Sequence, residues 1–214
     1  MPPFDALLNA FITLFVTVDP IGNAALFLGL TAGLSAPIRR SVAVRGTAVA
    51  FAILSLFAVT GTSLLDAIGI SIDAFRIAGG VLLFVTAFEM IYGARQQRRE
   101  QASNDAVAEH AADLAVFPLA IPLLAGPGTI SATILLSSEL SAPAAASSWI
   151  GTASLIGVIG VLMIVSALIL VAAEALDKYI GTTAKLVMTR LLGVLLAALA
   201  VQYIADGALA FAHS

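Results

Sequence analysis

The sequence predicts an all-α integral membrane protein of six transmembrane helices, built as two inverted three-helix repeats with the first and fourth helices interrupted at mid-membrane. Of 214 residues, 60% are hydrophobic and 11% are charged, a balance typical of membrane proteins. Six apolar stretches approach the ~20 residues that a bilayer crossing requires. Features of the first three recur in the last three. The stretches cover residues 6–30, 44–65, 74–93, 115–138, 149–173 and 190–212.

The positions of the basic residues predict the topology. Nine of the ten Lys and Arg residues follow the first, third and fifth spans, and only Arg76 lies on the other side. By the positive-inside rule, those three loops are cytoplasmic and both termini lie outside. We therefore expect a multi-pass protein of the bacterial inner membrane. No Lys or Arg precedes Arg39, so the first span is expected to be retained rather than cleaved as a signal peptide.

The first span contains Asp19-Pro20-Ile21-Gly22-Asn23 near its centre. Proline is tolerated at the first position of a helix and disfavoured further inside, and Asp is a preferred N-cap. This stretch therefore predicts a new helix start within the membrane. Asp19 has two compatible interpretations, a plain N-cap or a carboxylate that binds a proton or cation beside a substrate. Asn23, one turn later, is expected to orient Asp19, contact substrate or bridge helices.

The third span carries Arg76 near its start, followed by Gly79 and Gly80, which are expected to permit close helix packing. A polar segment of mixed charge follows it. It is predicted to be a cytoplasmic linker over residues 94–114, separating a first repeat of residues 1–93 from a second repeat of residues 115–214.

The fourth span contains Gly126-Pro127-Gly128-Thr129, a second predicted helix start. Breaking a helix in lipid leaves backbone groups unpaired at several kcal/mol each, so a break is tolerated only inside protein or beside a wet cavity. A kink is the simpler interpretation of either break alone. Two breaks at matching positions favour one shared site, to which we assign Asp19, Pro20, Gly22, Asn23, Gly126, Pro127, Gly128 and Thr129.

The sixth span resembles the third. Arg76 and Arg190 both precede the string Gly-Val-Leu-Leu, and Ala87 then aligns with Ala200. Because each half has three spans, the second half must enter the membrane from the opposite side, as in many secondary transporters.

These motifs resemble the MarC family of integral membrane proteins. The resemblance rests on the stretch 19–23, on Phe75-Arg76-Ile77-Ala78-Gly79-Gly80, on residues 117–128 and on residues 189–207, and it covers nearly the whole chain. It implies a six-span secondary transporter, and transport of small neutral amino acids such as glycine and alanine has been ascribed to the group. The family's name reflects a supposed link to multiple antibiotic resistance.

The residues alone also suggest a small zwitterion. Helix N-termini suit a carboxylate, and freed carbonyls with Asp19 suit an ammonium group. We therefore expect a carrier of glycine- to serine-sized substrates working by alternating access, without a cofactor or metal but with H⁺ or Na⁺ coupling through Asp19. The alternatives are an exporter of drugs or other small solutes and an ion channel.

An enzyme is disfavoured because His110 and His213 lie outside the spans and the chain has no cysteine. No basic surface suggests nucleic acid, and the sequence leaves oligomeric state open.

Overall fold

The computed structural model describes residues 2–93, 114–141, 148–175 and 181–213. Of the predicted linker only Leu114 falls within these ranges. The described parts of the chain form eight helices, with an irregular π-helical segment as the fifth. The helices are α1 Phe4–Val18, α2 Pro20–Leu30, α3 Ala36–Ala67, α4 Ile72–Tyr92, α5 Ala115–Leu124, α6 Pro127–Leu140, α7 Ser148–Val171 and α8 Thr182–His213.

Within the described ranges, five elements are long and apolar enough to cross a membrane: α1 with α2, α3, α4, α7 and α8. The α5–α6 pair is bent by 60° and makes a sixth crossing if it is one span. The helical multi-pass protein predicted from the sequence is therefore confirmed. Helices α3 and α8 are longer than their apolar runs: α3 begins at Ala36 rather than at residue 44, and α8 at Thr182 rather than at residue 190. The added residues of α3, about two turns, include Arg39 and Arg40, which can extend beyond the hydrocarbon into the head groups.

Local signals explain where the long helices begin and end. The hydroxyl of Ser71 accepts a hydrogen bond from the N–H of Ala74 at 3.2 Å and caps α4. At its other end, Gly93 has a φ of 78°, the left-handed conformation that stops many helices. Gly69 adopts a similar φ of 75° in the short connection from α3 to α4.

The segments that contain the predicted breaks lie at the centre of the bundle. In the crossing Phe4–Leu30, 61% of the residues in its most apolar stretch are buried, whereas in α8 the corresponding share is 17%. The first crossing is therefore mostly surrounded by protein. Helix α6 is also largely buried, and the hydroxyl of Ser137 donates to the carbonyl of Ala58 on α3 at 2.6 Å. Both interrupted segments therefore occupy an environment where a backbone break can be tolerated.

Helices α4 and α8 pack closely and antiparallel through glycines. The sequence predicts close packing at Gly80, and the structure shows that α8 is the partner. A Cβ on Gly80 would lie 2.9 Å from the carbonyl oxygen of Ala200. A Cβ on Gly193 would lie 3.1 Å from the carbonyl oxygen of Ala87. Since neither position has room for a side chain without displacing backbone, glycine determines how closely these helices approach.

Candidate functional site

The first site element is a one-residue break between α1 and α2. Asp19 has φ 54° and ψ 61°, the left-handed conformation that ends α1, and its N–H donates to the carbonyl of Phe15 at 2.9 Å. The same residue caps α2, because its Oδ1 accepts the N–H of Gly22 at 3.0 Å. Asp is one of the few non-glycine residues that adopts this backbone conformation readily. Asp19 therefore ends one helix and starts the next, with only 2% of its surface exposed.

Gly22 leaves the space that the Asp19 carboxylate occupies. A Cβ at this position would lie 2.2 Å from Oδ2 and 2.8 Å from Cγ of Asp19. No side chain fits there unless the carboxylate moves, because real Cβ contacts are not shorter than about 3 Å. Pro20 precedes Gly22 as the first residue of α2 and is buried. The sequence Asp-Pro-x-Gly thus specifies a capped helix start with the carboxylate folded over it.

Asn23 connects the two breaks. Its side chain is fully buried, and its Nδ2 donates to the carbonyl of Val18 at 2.8 Å and to the carbonyl of Leu123 at 3.2 Å. Val18 is the last residue of α1, and Leu123 lies in the final turn of α5. One amide therefore satisfies a backbone oxygen at each interruption. This is the helix-bridging role that the sequence offered as one interpretation of Asn23.

The second site element lies between α5 and α6. Backbone angles inside α5 leave the helical region at Phe117 and Ile121, each of which precedes a proline. Gly126 has extended backbone with ψ 169° and begins α6. A Cβ on Gly126 would lie 2.7 Å from the carbonyl oxygen of Pro122, so only glycine fits this close turn. Pro127 occupies the first turn of α6 and is exposed, unlike Pro20 at the first break.

Gly128 brings α6 against α1 and α4. A Cβ at this position would lie 3.1 Å from Thr86 Oγ1, 3.7 Å from Leu83 Cδ2 and 3.8 Å from Thr17 Cγ2. Thr17 is buried and donates its hydroxyl to the carbonyl of Thr13 at 2.6 Å. Two threonines and one leucine are therefore the nearest neighbours of this position, and none of the three is aromatic.

Thr129 is buried beside Gly128, and its carbonyl accepts the hydroxyl of Thr133 at 2.8 Å. Thr133 thus bonds to the preceding turn of its own helix. The structure brings Asp19, Gly22, Asn23 and the end of α5 together through hydrogen bonds.

The two helix starts differ in how their N–H groups are capped. At α2, the Asp19 carboxylate accepts an N–H of the first turn. At α6, the capping residue is Gly126, which has no side chain to do so. The N-terminus of a helix carries partial positive charge and N–H groups without partners in the helix. The α6 start is therefore suited to an external carboxylate, whereas the α2 start already contains one.

A family model describing MarC family integral membrane proteins matches residues 4–211, which covers nearly the whole chain. The chain belongs to the MarC family. Relatives share its length as well as its sequence. It is 36% identical to a UPF0056 membrane protein of Archaeoglobus fulgidus, over 92% of this chain and 90% of that protein. It is 35% identical to the UPF0056 membrane protein YvbG of Bacillus subtilis, over 95% and 94%.

The Escherichia coli UPF0056 membrane protein YhcE is 32% identical, over 95% of this chain and 92% of that protein. These names give no substrate or activity. No solved structure matches the chain significantly. Membership therefore establishes an integral membrane protein of several spans and leaves its substrate to be argued from the site.

Sequence reasoning missed some members of the candidate site in this MarC protein. The carbonyls of Val18 and Leu123 accept the Asn23 amide, and Thr17 and Thr86 lie beside Gly128. A signal for Thr17 was present, because it lies two residues before Asp19 on the same interrupted helix. The two backbone carbonyls had no sequence signal, since any residue type supplies a carbonyl.

Proposed function

We propose that this MarC protein is a secondary transporter that carries a small neutral amino acid across the bacterial inner membrane by alternating access. The observation that supports it best is the amide of Asn23, which joins the ends of α1 and α5 and so unites the two helix breaks in one buried location. Broken helices that meet at membrane depth are a common way to build a transporter site, because they free backbone groups for a polar solute.

The charges of the two helix starts support a zwitterionic substrate. The start of α6, capped only by glycine, offers N–H groups to a carboxylate. Asp19, buried at the start of α2, offers a carboxylate to an ammonium group or to a coupling H⁺ or Na⁺. The small groups around Gly128 favour substrates of glycine to serine size, since a longer side chain would meet Thr86 and Leu83.

The packing of α4 and α8 supports the inverted repeat. Gly80 aligns with Gly193 in the Gly-Val-Leu-Leu string, and Ala87 aligns with Ala200. In the structure Gly80 lies against Ala200, and Gly193 lies against Ala87. Replacing each residue by its aligned partner therefore converts one contact into the other. Reciprocal contacts of this kind are what a two-fold axis between two units produces. For two antiparallel helices crossing a membrane, that axis lies in the membrane plane, as alternating access by inverted repeats requires.

The test is uptake of labelled glycine and alanine into liposomes containing the purified protein, with and without imposed H⁺ and Na⁺ gradients. Saturable uptake is expected, and Asp19→Asn is expected to lose its response to one gradient. Gly128→Leu is expected to abolish uptake, because its side chain fills the space beside Thr86. Gly157→Leu is the matched control, since nothing lies within 4 Å of a Cβ at Gly157.

Folded protein without saturable uptake under any gradient would contradict the amino-acid substrate. Conduction without saturable binding would favour the channel alternative. Uptake retained in Gly128→Leu would exclude the α6 start from the site.

The proposed orientation, with both termini outside, can be tested separately because the chain contains no cysteine. Ser35→Cys lies before α3 and Ile70→Cys lies between α3 and α4, and both positions are exposed. A membrane-impermeant maleimide added to whole cells is expected to label Ile70→Cys and to spare Ser35→Cys. The reverse labelling pattern would show that the topology is inverted.

A further inference from the structure

An apolar groove of about 360 Å³ lies between α3 and α7, away from the helix breaks. On α3 it is lined by Val44, Thr47, Ala48 and Phe51, and on α7 by four residues at the same spacing within 160–167. The Thr47 hydroxyl donates to the carbonyls of Ala43 and Val44, so it offers no free donor to an occupant. The groove therefore suits a hydrocarbon chain.

The groove has a cationic group in line with one end. Arg40 lies four residues before Val44, so it continues the face formed by residues 44, 47, 48 and 51. Arg40 is exposed. Its neighbour Arg39 forms an ion pair with Glu174, which holds the start of α3 close to the segment that follows α7. The groove thus runs from a basic helix end into the membrane.

The groove together with Arg40 at its end matches one leaflet of a bilayer in length. Phe51 lies eleven residues beyond Arg40, which is about 16 Å along the helix axis. The hydrocarbon core of a bilayer is about 30 Å thick, so one leaflet contributes about half of that. Phe51 stands at the far end beside Gly160, where a Cβ would lie 3.5 Å from its ring. A chain anchored at Arg40 would end near the middle of the membrane.

We propose that this groove binds one acyl chain of an anionic phospholipid, with the head-group phosphate at Arg40. Two features of the protein select the two parts of the ligand. The apolar lining selects an acyl chain, and the positive charge of Arg40 in line with the groove selects an anionic head group over a zwitterionic one. The leaflet is the one on the side of Arg40. This site shares no residue with the candidate transport site and does not depend on the transport proposal.

The test is native mass spectrometry of the purified full-length protein titrated with phosphatidylglycerol or with phosphatidylcholine. Wild type is expected to retain phosphatidylglycerol preferentially. Gly160→Leu and Ala48→Leu each place a side chain in the groove, and each is expected to lower retention about tenfold or more. Gly157→Leu, on an exposed position one turn away, is expected to leave it unchanged.

The head-group contact is tested by Arg40→Gln, with Arg190→Gln on α8 as the matched control. Arg40→Gln is expected to weaken phosphatidylglycerol binding about fivefold and phosphatidylcholine binding little. Equal retention by Gly160→Leu, Ala48→Leu and Gly157→Leu would overturn the proposal. The proposal would also be overturned if inorganic phosphate displaced the lipid while the groove variants had no effect on lipid retention. If the groove variants lost a dimer but kept the lipid, the groove would be assigned to a second copy of the chain.

Discussion

Gly22→Ala tests the capped break most directly, and Gly29→Ala in the same helix is its matched control. At Gly29 nothing lies within 4 Å of a Cβ, so alanine is expected to stabilise α2 by up to about 1 kcal/mol through helix propensity. At Gly22 the same methyl would lie 2.2 Å from Asp19 Oδ2 and would force the carboxylate away from the helix start. Losing an N-cap costs about 0.5–2 kcal/mol, and a buried polar group left without its partner costs about 1–3 kcal/mol.

The propensity gain offsets part of this cost, so Gly22→Ala is expected to destabilise the protein by about 1–2 kcal/mol. The free energies of the two variants should therefore differ by about 2–3 kcal/mol. Unfolding of each purified variant by sodium dodecyl sulfate in mixed micelles, followed by circular dichroism, measures the difference. Equal stabilities would show that the Asp19 carboxylate does not depend on the space at Gly22, and the account of the first break would be wrong.

Three further predictions concern contacts around the site and the bundle. Asn23→Leu removes the amide that bonds two buried carbonyls and is expected to lower the free energy of unfolding by about 2–3 kcal/mol. The control Thr31→Val is expected to lower it by less than about 1 kcal/mol, because the Thr31 hydroxyl bonds to the preceding turn of its own helix. Equal costs in the same unfolding titration would contradict the bridge. Gly193→Leu is expected to cost about 1–3 kcal/mol by separating α4 from α8, measured as a lower midpoint of thermal aggregation. Arg39→Gln is expected to change stability by less than about 1 kcal/mol, because its ion-pair partner Glu174 is 76% exposed. A larger loss would show that this pair is held in a drier environment.

Apolar length and proline position determine most of what the sequence predicts about the fold. The apolar runs locate the crossings because bilayer thickness sets their length, and the two Pro-containing stretches locate new helix starts because proline is suited to the first turn. The ends of α3 and α8 were predicted less well. Both helices continue through Arg-containing turns, since a helix does not stop where the hydrocarbon ends.

The candidate site was predictable only as far as side chains form it. Asp19, Gly22 and Gly126 have backbone requirements that restrict the residue type, so their identities point to their roles. The partner of Asn23 across the bundle is the carbonyl of Leu123, one hundred residues away, and a carbonyl leaves no mark on the sequence. The sequence predicted close packing at Gly80 but not that α8 is the partner of α4, and the close packing of Gly128 on Thr86 likewise required the fold.

The two interpretations of Asp19, helix cap and functional carboxylate, do not exclude each other. An ionised carboxylate has about four acceptor positions on its two oxygens, and the bond from the Gly22 N–H uses one of them. In the proposed carrier, an ammonium group at this carboxylate would leave the bond from the Gly22 N–H in place, because a carboxylate accepts several hydrogen bonds at once. The cap then fixes the orientation of the carboxylate while its charge is neutralised. The second break has glycine at the capping position, so of the two capping positions only the first carries an ionisable side chain. Coupling to a cation gradient would therefore act on one repeat, whatever symmetry relates the two.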